Sequence, residues 1–248
     1  MTKLYFDLTR GISADMFAAA CHSFLDPEGQ TEFLRRVDEA PERLGCKLVT
    51  DDIRTTGAVG KAIEWQSESK DETVSGEMAI GSLERVAEGF GLSTGGRRFV
   101  SKVIGDIVSA ESKAHRVDPH KVHLHEIGRA AGLMNMALAG LCYDLLDLGG
   151  REVVGSYLAI GEGEVETAHG VLAVPTPAAA ELLAGLRFRF GPHFGEMATP
   201  SGIAIVRNVL IGQLDVLPKA SRTGVGFGSR SFDGERGFAM VFESGQEG

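Results

Sequence analysis

Residues 130–148, AAGLMNMALAGLCYDLLDL, place the strongest constraint on the fold. For most of their length they are apolar on every side, and a helix of that kind has to be enclosed by other elements. Asn135, Asp144 and Asp147 interrupt the run, so it reads as a buried helix and not as a membrane span. Gly149-Gly150 gives it an ordinary end. The remaining chain must supply the layers that cover it.

Those layers alternate between strand and helix. Residues 3–8, KLYFDL, alternate as a strand does, and 14–25 form a helix with Phe17, Ala20, Cys21, Phe24 and Leu25 on its apolar face. Ser13 is placed to cap that helix, with Asp15 in its first turn where the dipole favours a carboxylate. A second helix is expected over 32–45, broken at Pro41, then strands over 47–54 and 58–67. A short helix over 82–91 precedes a long amphipathic one over 97–116, striped by Phe99, Val100, Val103, Ile104, Ile107 and Val108. Beyond residue 150 strands predominate. Thr176-Pro177 and Thr199-Pro200 each read as an N-cap followed by proline in the first helical position. TGVGFGSRSF (223–232) reads as a bulged hairpin or loop before a final strand over 238–244. The class is α/β: a mixed sheet flanked by helices, with a strand-richer C-terminal half. Residues 1–248 are expected to form one domain, with room for a sub-boundary near 150.

Composition narrows the function. A net charge of −9 argues against a nucleic-acid binder, which needs a basic face. It leaves room for an anionic small ligand held by a few arginines. Three cysteines without a CxxC pair suit a reduced, cytoplasmic protein with no disulfide framework. Asp7 in the first apolar run speaks against a signal peptide, and no segment reads as a membrane anchor. Glycine, at 33 residues, is about twice its usual share, which implies tight turns or backbone-lined pockets.

The chemistry centres on VHLHEIG (122–128). In a strand, residues two apart share a face, so His123 and His125 would point together. Two imidazoles make a half-site for Ni, Zn or Fe. Glu126 could add an oxygen. Asp7 at the end of the first strand, Asp15 and His169 are the candidate remaining ligands, because α/β sheets gather ligands at the carboxyl ends of their strands. Asp15 as a dipole-stabilising carboxylate and His169 as a partly buried histidine stay open. For anions, the helix starts at Thr176 and at Thr199-Pro200-Ser201-Gly202 expose backbone N–H groups. Arg222 and Arg230 flank the glycine-rich segment with guanidinium groups shaped for phosphate or carboxylate. No nucleophile elbow or Ser-His-Asp order occurs, so covalent hydrolysis is not expected.

Five segments, in order, resemble the LarC family of nickel-insertion proteins: LYFDLTRGISADM (4–16), AESKAHRVDPHKVHLHEIG (110–128), AHGVLAVPTPAAAELLAGL (168–186), GEMATPSGIAI (195–205) and TGVGFGSRSF (223–232). They are similar to the family's GISGDM opening, its HFHEVG motif, its AHGxLPVPAPA segment and its ExxTPTGAA segment. The resemblance implies a CTP-dependent insertion of nickel into pyridinium-3,5-bisthiocarboxylic acid mononucleotide, a lyase activity of the nickel chelatase, or cyclometallase, type. It implies a metal site, which the candidates above would supply from His123, His125, Glu126, Asp7, Asp15 and His169, with catalysis on His125, Glu126 and Asp15. The anionic ligand would lie near Ser13, Thr176, Thr199, Ser201, Gly202, Arg222 and Arg230.

There are departures. Ala14 replaces a glycine, and Ala131 and Asn135 stand where the family has two aspartates on one helix face. A histidine-rich loop expected near 65–80 is replaced by SESKDETVSGEM. Each departure removes a potential metal ligand or narrows an approach, so manganese or zinc stays open beside nickel. The family's C-terminal nucleotide domain is not expected within these residues, so CTP would require a partner domain or a separate nucleotide-binding subunit. A homo-oligomer is also open. Two other readings compete: a metal-independent enzyme using the His/Glu cluster on an anionic pyridinium or nucleotide-like molecule, and a non-catalytic cofactor-binding or partner subunit.

Overall fold

A computed structural model describes residues 3–41, 43–67, 74–124, 128–216 and 219–244. The first part of the chain runs β1 (Leu4–Asp7), α1 (Ala14–Phe24), α2 (Pro27–Asp38), β2 (Cys46–Arg54), β3 (Val59–Ser67), β4 (Val74–Ser75), α3 (Gly76–Gly89), α4 (Thr94–His115), β5 (His123–Leu124) and α5 (Ala130–Leu145). The strand-rich part follows. It comprises β6 (Val153–Gly155), β7 (Leu158–Ala159), β8 (Gly161–Glu162), β9 (Glu164–Thr167), β10 (Gly170–Ala173), α6 (Pro177–Leu182), β11 (Phe188–Arg189), β12 (Gly195–Glu196), α7 (Pro200–Val209), β13 (Gly212–Gln213), β14 (Ala220–Phe232) and β15 (Glu235–Ser244).

Among the described residues one seven-stranded mixed sheet organises the molecule, in the order β13-β6-β1-β15-β14-β3-β2. Strands from both sides of residue 150 interleave in it. β1 pairs parallel with β6 and antiparallel with β15, and β14 pairs parallel with β3. The apolar helix is α5, and its residues from Leu133 to Cys142 are buried except Asn135. Helix α1 packs between it and the sheet, with Phe17, Ala18, Ala19, Ala20 and Cys21 fully buried.

Of the two readings of the glycine-alternating segment, bulged hairpin and loop, the structure has the hairpin. The segment is the middle of β14, in a hairpin with β15 whose register shifts between Phe227 and Ser231. The glycines are there because α1 lies directly against the strand. A Cβ at Gly226 would sit 2.1 Å from the Ala20 nitrogen and 2.3 Å from the Met16 oxygen, and one at Gly224 would sit 2.5 Å from the Ala20 oxygen. No side chain fits at that separation. The run of small residues Ala18, Ala19 and Ala20 is the matching half of the same close approach.

Two helices begin five or six residues earlier than the periodicity indicates. α2 starts at Pro27 and not near 32, because the Asp26 carboxylate accepts from the Gly29 N–H at 2.8 Å and Pro27 opens the first turn. α3 starts at Gly76 and not 82, capped by the Ser75 hydroxyl. In both, local cap chemistry outweighs apolar spacing. All three cysteines are buried, Cys21 and Cys142 as free thiols. Among the described residues no helix is long and apolar enough to cross a membrane.

Candidate functional site

A cavity of about 430 Å³ opens where the starts of α1, α6 and α7 meet the end of α4, the β9–β10 hairpin, β5, α5 and the far end of β14. That is the size range of small-molecule sites. Two of its walls differ in chemistry.

The first wall is built from main-chain bonds and paired charges. The Ile12 N–H donates to the Met197 oxygen and the Thr199 N–H to the Ile12 oxygen, each at 3.0 Å, which laces the starts of α1 and α7 together. Thr199 caps α7 by accepting from the Gly202 N–H at 3.2 Å, and its hydroxyl lies 3.1 Å from that of Ser201. Asp15 accepts from the Ser13 hydroxyl through one oxygen and from the Ser229 N–H, at 3.1 Å, through the other. The carboxylate therefore ties the first turn of α1 to the end of β14. Next to it, Arg230 donates to Glu196 at 2.9 Å. Glu196 is only 6% exposed, whereas about half of the Arg230 side chain reaches solvent. A carboxylate held that deep fixes the guanidinium while leaving much of it open to a ligand.

The second wall carries imidazoles. His115, in the last turn of α4, lies 4.7 Å ring to ring from His169 at the tip of the β9–β10 hairpin. Its Nε2 is 3.4 Å from Glu111 one turn earlier. The hairpin tip is held by the His169 N–H donating to the Thr167 hydroxyl at 3.1 Å. His123 lines the cavity from β5, and Asn135 from α5.

The structure brings together Ser13, Asp15, His123, His169, Thr176, Thr199, Ser201 and Arg230 of the predicted set. Thr176 caps α6 through the Ala179 N–H as expected. Ser13 occupies the cap position of α1, but its hydroxyl serves Asp15 and not the helix. His125 and Glu126 lie outside the described residues. The paired-imidazole geometry expected of His123 and His125 falls outside them with His125.

Three predicted residues do not line the cavity. Asp7 is nearly buried and accepts from the Thr9 N–H at 2.9 Å. Gly202 faces the chain, not a ligand: a Cβ there would be 2.4 Å from the Ile12 oxygen. Arg222 lies at the opposite end of α1, its guanidinium 4.3 Å over the Phe24 ring and bonded to the Phe24 carbonyl. A cation there suits a helix C-terminus.

Sequence reasoning missed Glu111, His115 and Glu196. The first two are four apart on one helix, a spacing that marks a shared face. Glu196 stands three residues before the Thr199 cap, and nothing local marks it as buried. Among the described residues, no group of three or more His, Cys, Asp or Glu side chains is arranged to hold a metal ion.

The fold and cavity define an α/β domain that presents helix starts, a fixed arginine and several imidazoles to one cavity. The sequence profile of the family described as "Nickel insertion protein" matches residues 4–244, and the chain belongs to that family. A Geobacter sulfurreducens protein named "Putative nickel insertion protein" is 31% identical over 249 residues, covering 97% of this chain and 59% of its own. A Methanothrix thermoacetophila protein of the same name is 31% identical over 93% of this chain and 56% of its own. The "Pyridinium-3,5-bisthiocarboxylic acid mononucleotide nickel insertion protein" of Alkaliphilus metalliredigens is 37% identical over 139 residues, 54% of this chain and 32% of its own. The chain thus spans somewhat under three fifths of the length of the first two relatives. No solved structure matches it.

Proposed function

We propose that the cavity binds an anionic pyridinium mononucleotide and that nickel, as the second substrate, is inserted into it there. The observation that supports this best is the convergence of the α7 start, the Arg230–Glu196 pair and the imidazoles of His115, His123 and His169 on one cavity. In this reading the Ser201 hydroxyl and Arg230 take the anionic groups. The imidazoles receive the divalent ion, for which neutral nitrogen donors are well suited.

Cyclometallation replaces a ring C–H bond by a carbon–nickel bond and releases a proton, which needs an acceptor. His125 and Glu126, adjoining His123 in sequence, are assigned that role together with metal binding. Asp15, both of whose oxygens already accept hydrogen bonds, serves as a fixed anion in the frame of the site. The CTP-dependent step is assigned to a domain or subunit beyond these residues.

The test is direct. The chain is incubated with pyridinium-3,5-bisthiocarboxylic acid mononucleotide and Ni²⁺, with and without CTP and the C-terminal portion of a longer relative. Nickel-bearing product is sought by mass spectrometry. Product in the complete mixture, lost on His123→Ala, supports the reading. Absence of both precursor binding and product, with the partner portion present, refutes it.

A further inference from the structure

The chain has one tryptophan, Trp65, and it stands behind the cavity wall. Its indole N–H donates to Asn135 Oδ1 at 2.9 Å. Asn135 lines the cavity from α5, as does Gly132 one turn earlier on the same face. An indole N–H can only donate, so it dictates which end of the amide turns toward it: the carbonyl oxygen. The other edge is the NH2 group, with two donors and no acceptor. Among the described residues the bond to Trp65 is the only hydrogen bond this side chain makes. An amide nitrogen, its lone pair delocalised into the carbonyl, does not ligate a metal ion.

We infer that Asn135 is a specificity-determining residue, which offers hydrogen-bond donors to a carboxylate-type or phosphoryl acceptor on the bound molecule, and that Trp65 is the positioning residue that fixes it in that sense. The inference rests on the cavity's being the mononucleotide site, but not on nickel. It gives the polar side chain in the middle of the apolar helix a task. An aspartate would satisfy Trp65 equally well but would offer the ligand a negative charge in place of two donors.

Asn135→Asp is therefore a nearly isosteric reversal of what the wall offers. Calorimetric titration of the full chain with nicotinic acid mononucleotide, a pyridinium carboxylate, and separately with Ni²⁺ alone, measures both consequences. The variant is expected to bind the mononucleotide at least tenfold more weakly and Ni²⁺ several-fold more tightly. The single indole cross-peak in a ¹H–¹⁵N spectrum should stay protected from exchange, because the carboxylate still accepts from Trp65. Trp65→Phe, which releases the amide, should cost the mononucleotide two- to fivefold without changing Ni²⁺ binding. Asn135→Leu, which removes the donors without adding charge, carries the same loss of mononucleotide affinity should the aspartate variant fail to fold. Undiminished mononucleotide binding by Asn135→Asp overturns the inference alone. A wild-type chain that ignores the mononucleotide overturns both it and the proposed substrate. Discrimination at position 135 without nickel insertion overturns only the proposed reaction.

Discussion

The two ends of α1 hold polar groups in opposite ways. At the N-terminal end, Asp15 lines the cavity and both its oxygens accept hydrogen bonds, one from a strand more than two hundred residues away in sequence. Two turns on, His22 is 2% exposed and packs 4.7 Å from the Phe33 ring, and among the described residues neither ring nitrogen has a hydrogen-bond partner. Burial pushes its pKa down to about 4, and Lys61 pushes it the same way. Asp52 opposes, as does the Gln30 backbone, which lies close without reaching hydrogen-bond geometry. One end of the helix is a hydrogen-bonded frame at the cavity wall. The other is apolar core that tolerates an imidazole only while it is neutral. What joins them is the glycine face of β14, which runs antiparallel to α1, with Arg222 at the Phe24 end and Ser229 at the Asp15 end.

The largest effect should come from breaking that junction. Gly226→Ala would drive a methyl group into the backbone of α1 and should destabilise the chain by about 3–4 kcal/mol. Gly105→Ala, at a mid-helix position in α4 with nothing within 4 Å, should instead stabilise it by up to about 1 kcal/mol. Urea denaturation of both variants checks the contrast. Equal effects would mean that the glycines of β14 do not seat the helix.

The buried end is probed by pH. The fold favours neutral His22, so the unfolded chain takes up a proton first as pH falls. The neutral ring's stability is complete above about pH 6.5 and declines between there and about pH 4. The loss should total about 3 kcal/mol. His22→Leu should flatten this limb of a stability–pH curve while leaving the neutral-pH value within about 1.5 kcal/mol. A limb of unchanged depth would assign the acid sensitivity to other groups.

How far the sequence discloses this arrangement depends on how local each cause is. The starts of α6 and α7 are readable because a Thr cap and a following Pro act within four residues. The stripe of α4 is readable because one face is buried along its whole length. The buried state of α5 is readable from the lack of a polar face. By contrast, nothing local says why β14 carries glycines until α1 is laid across them. Arg222 and Arg230 look equivalent as flanks of one segment, yet they lie at opposite ends of the helix that crosses it. Burial of Glu196 and the bond between Trp65 and Asn135, seventy residues apart, arise only from tertiary contact.

At the cavity end the effects should be smaller in stability and larger in binding. Arg230→Ala takes a cation from the nearly buried Glu196 and should cost about 1–3 kcal/mol. It should also weaken nicotinic acid mononucleotide at least tenfold. Glu196→Gln keeps an acceptor for Arg230 and should lose less of both. Calorimetry alongside thermal melts separates the two consequences. Equal affinity for wild type and Arg230→Ala would remove the arginine from the ligand's contacts.

Asp15→Asn makes the finest distinction. The side chain keeps its shape: its oxygen can still accept from the Ser229 N–H, while its NH2 group donates to the Ser13 hydroxyl, so both contacts persist with one of them reversed. Replacing two charge-assisted bonds by neutral ones at a partly exposed site should cost about 1 kcal/mol or less. If Asp15 acts only as frame, the variant should bind nicotinic acid mononucleotide at least as well as wild type, since a negative charge has left the wall. Its Ni²⁺ affinity should stay within about twofold. A drop in Ni²⁺ binding of tenfold or more would instead make Asp15 a ligand to the ion, and the cavity-facing end of α1 would then be part of the reacting centre.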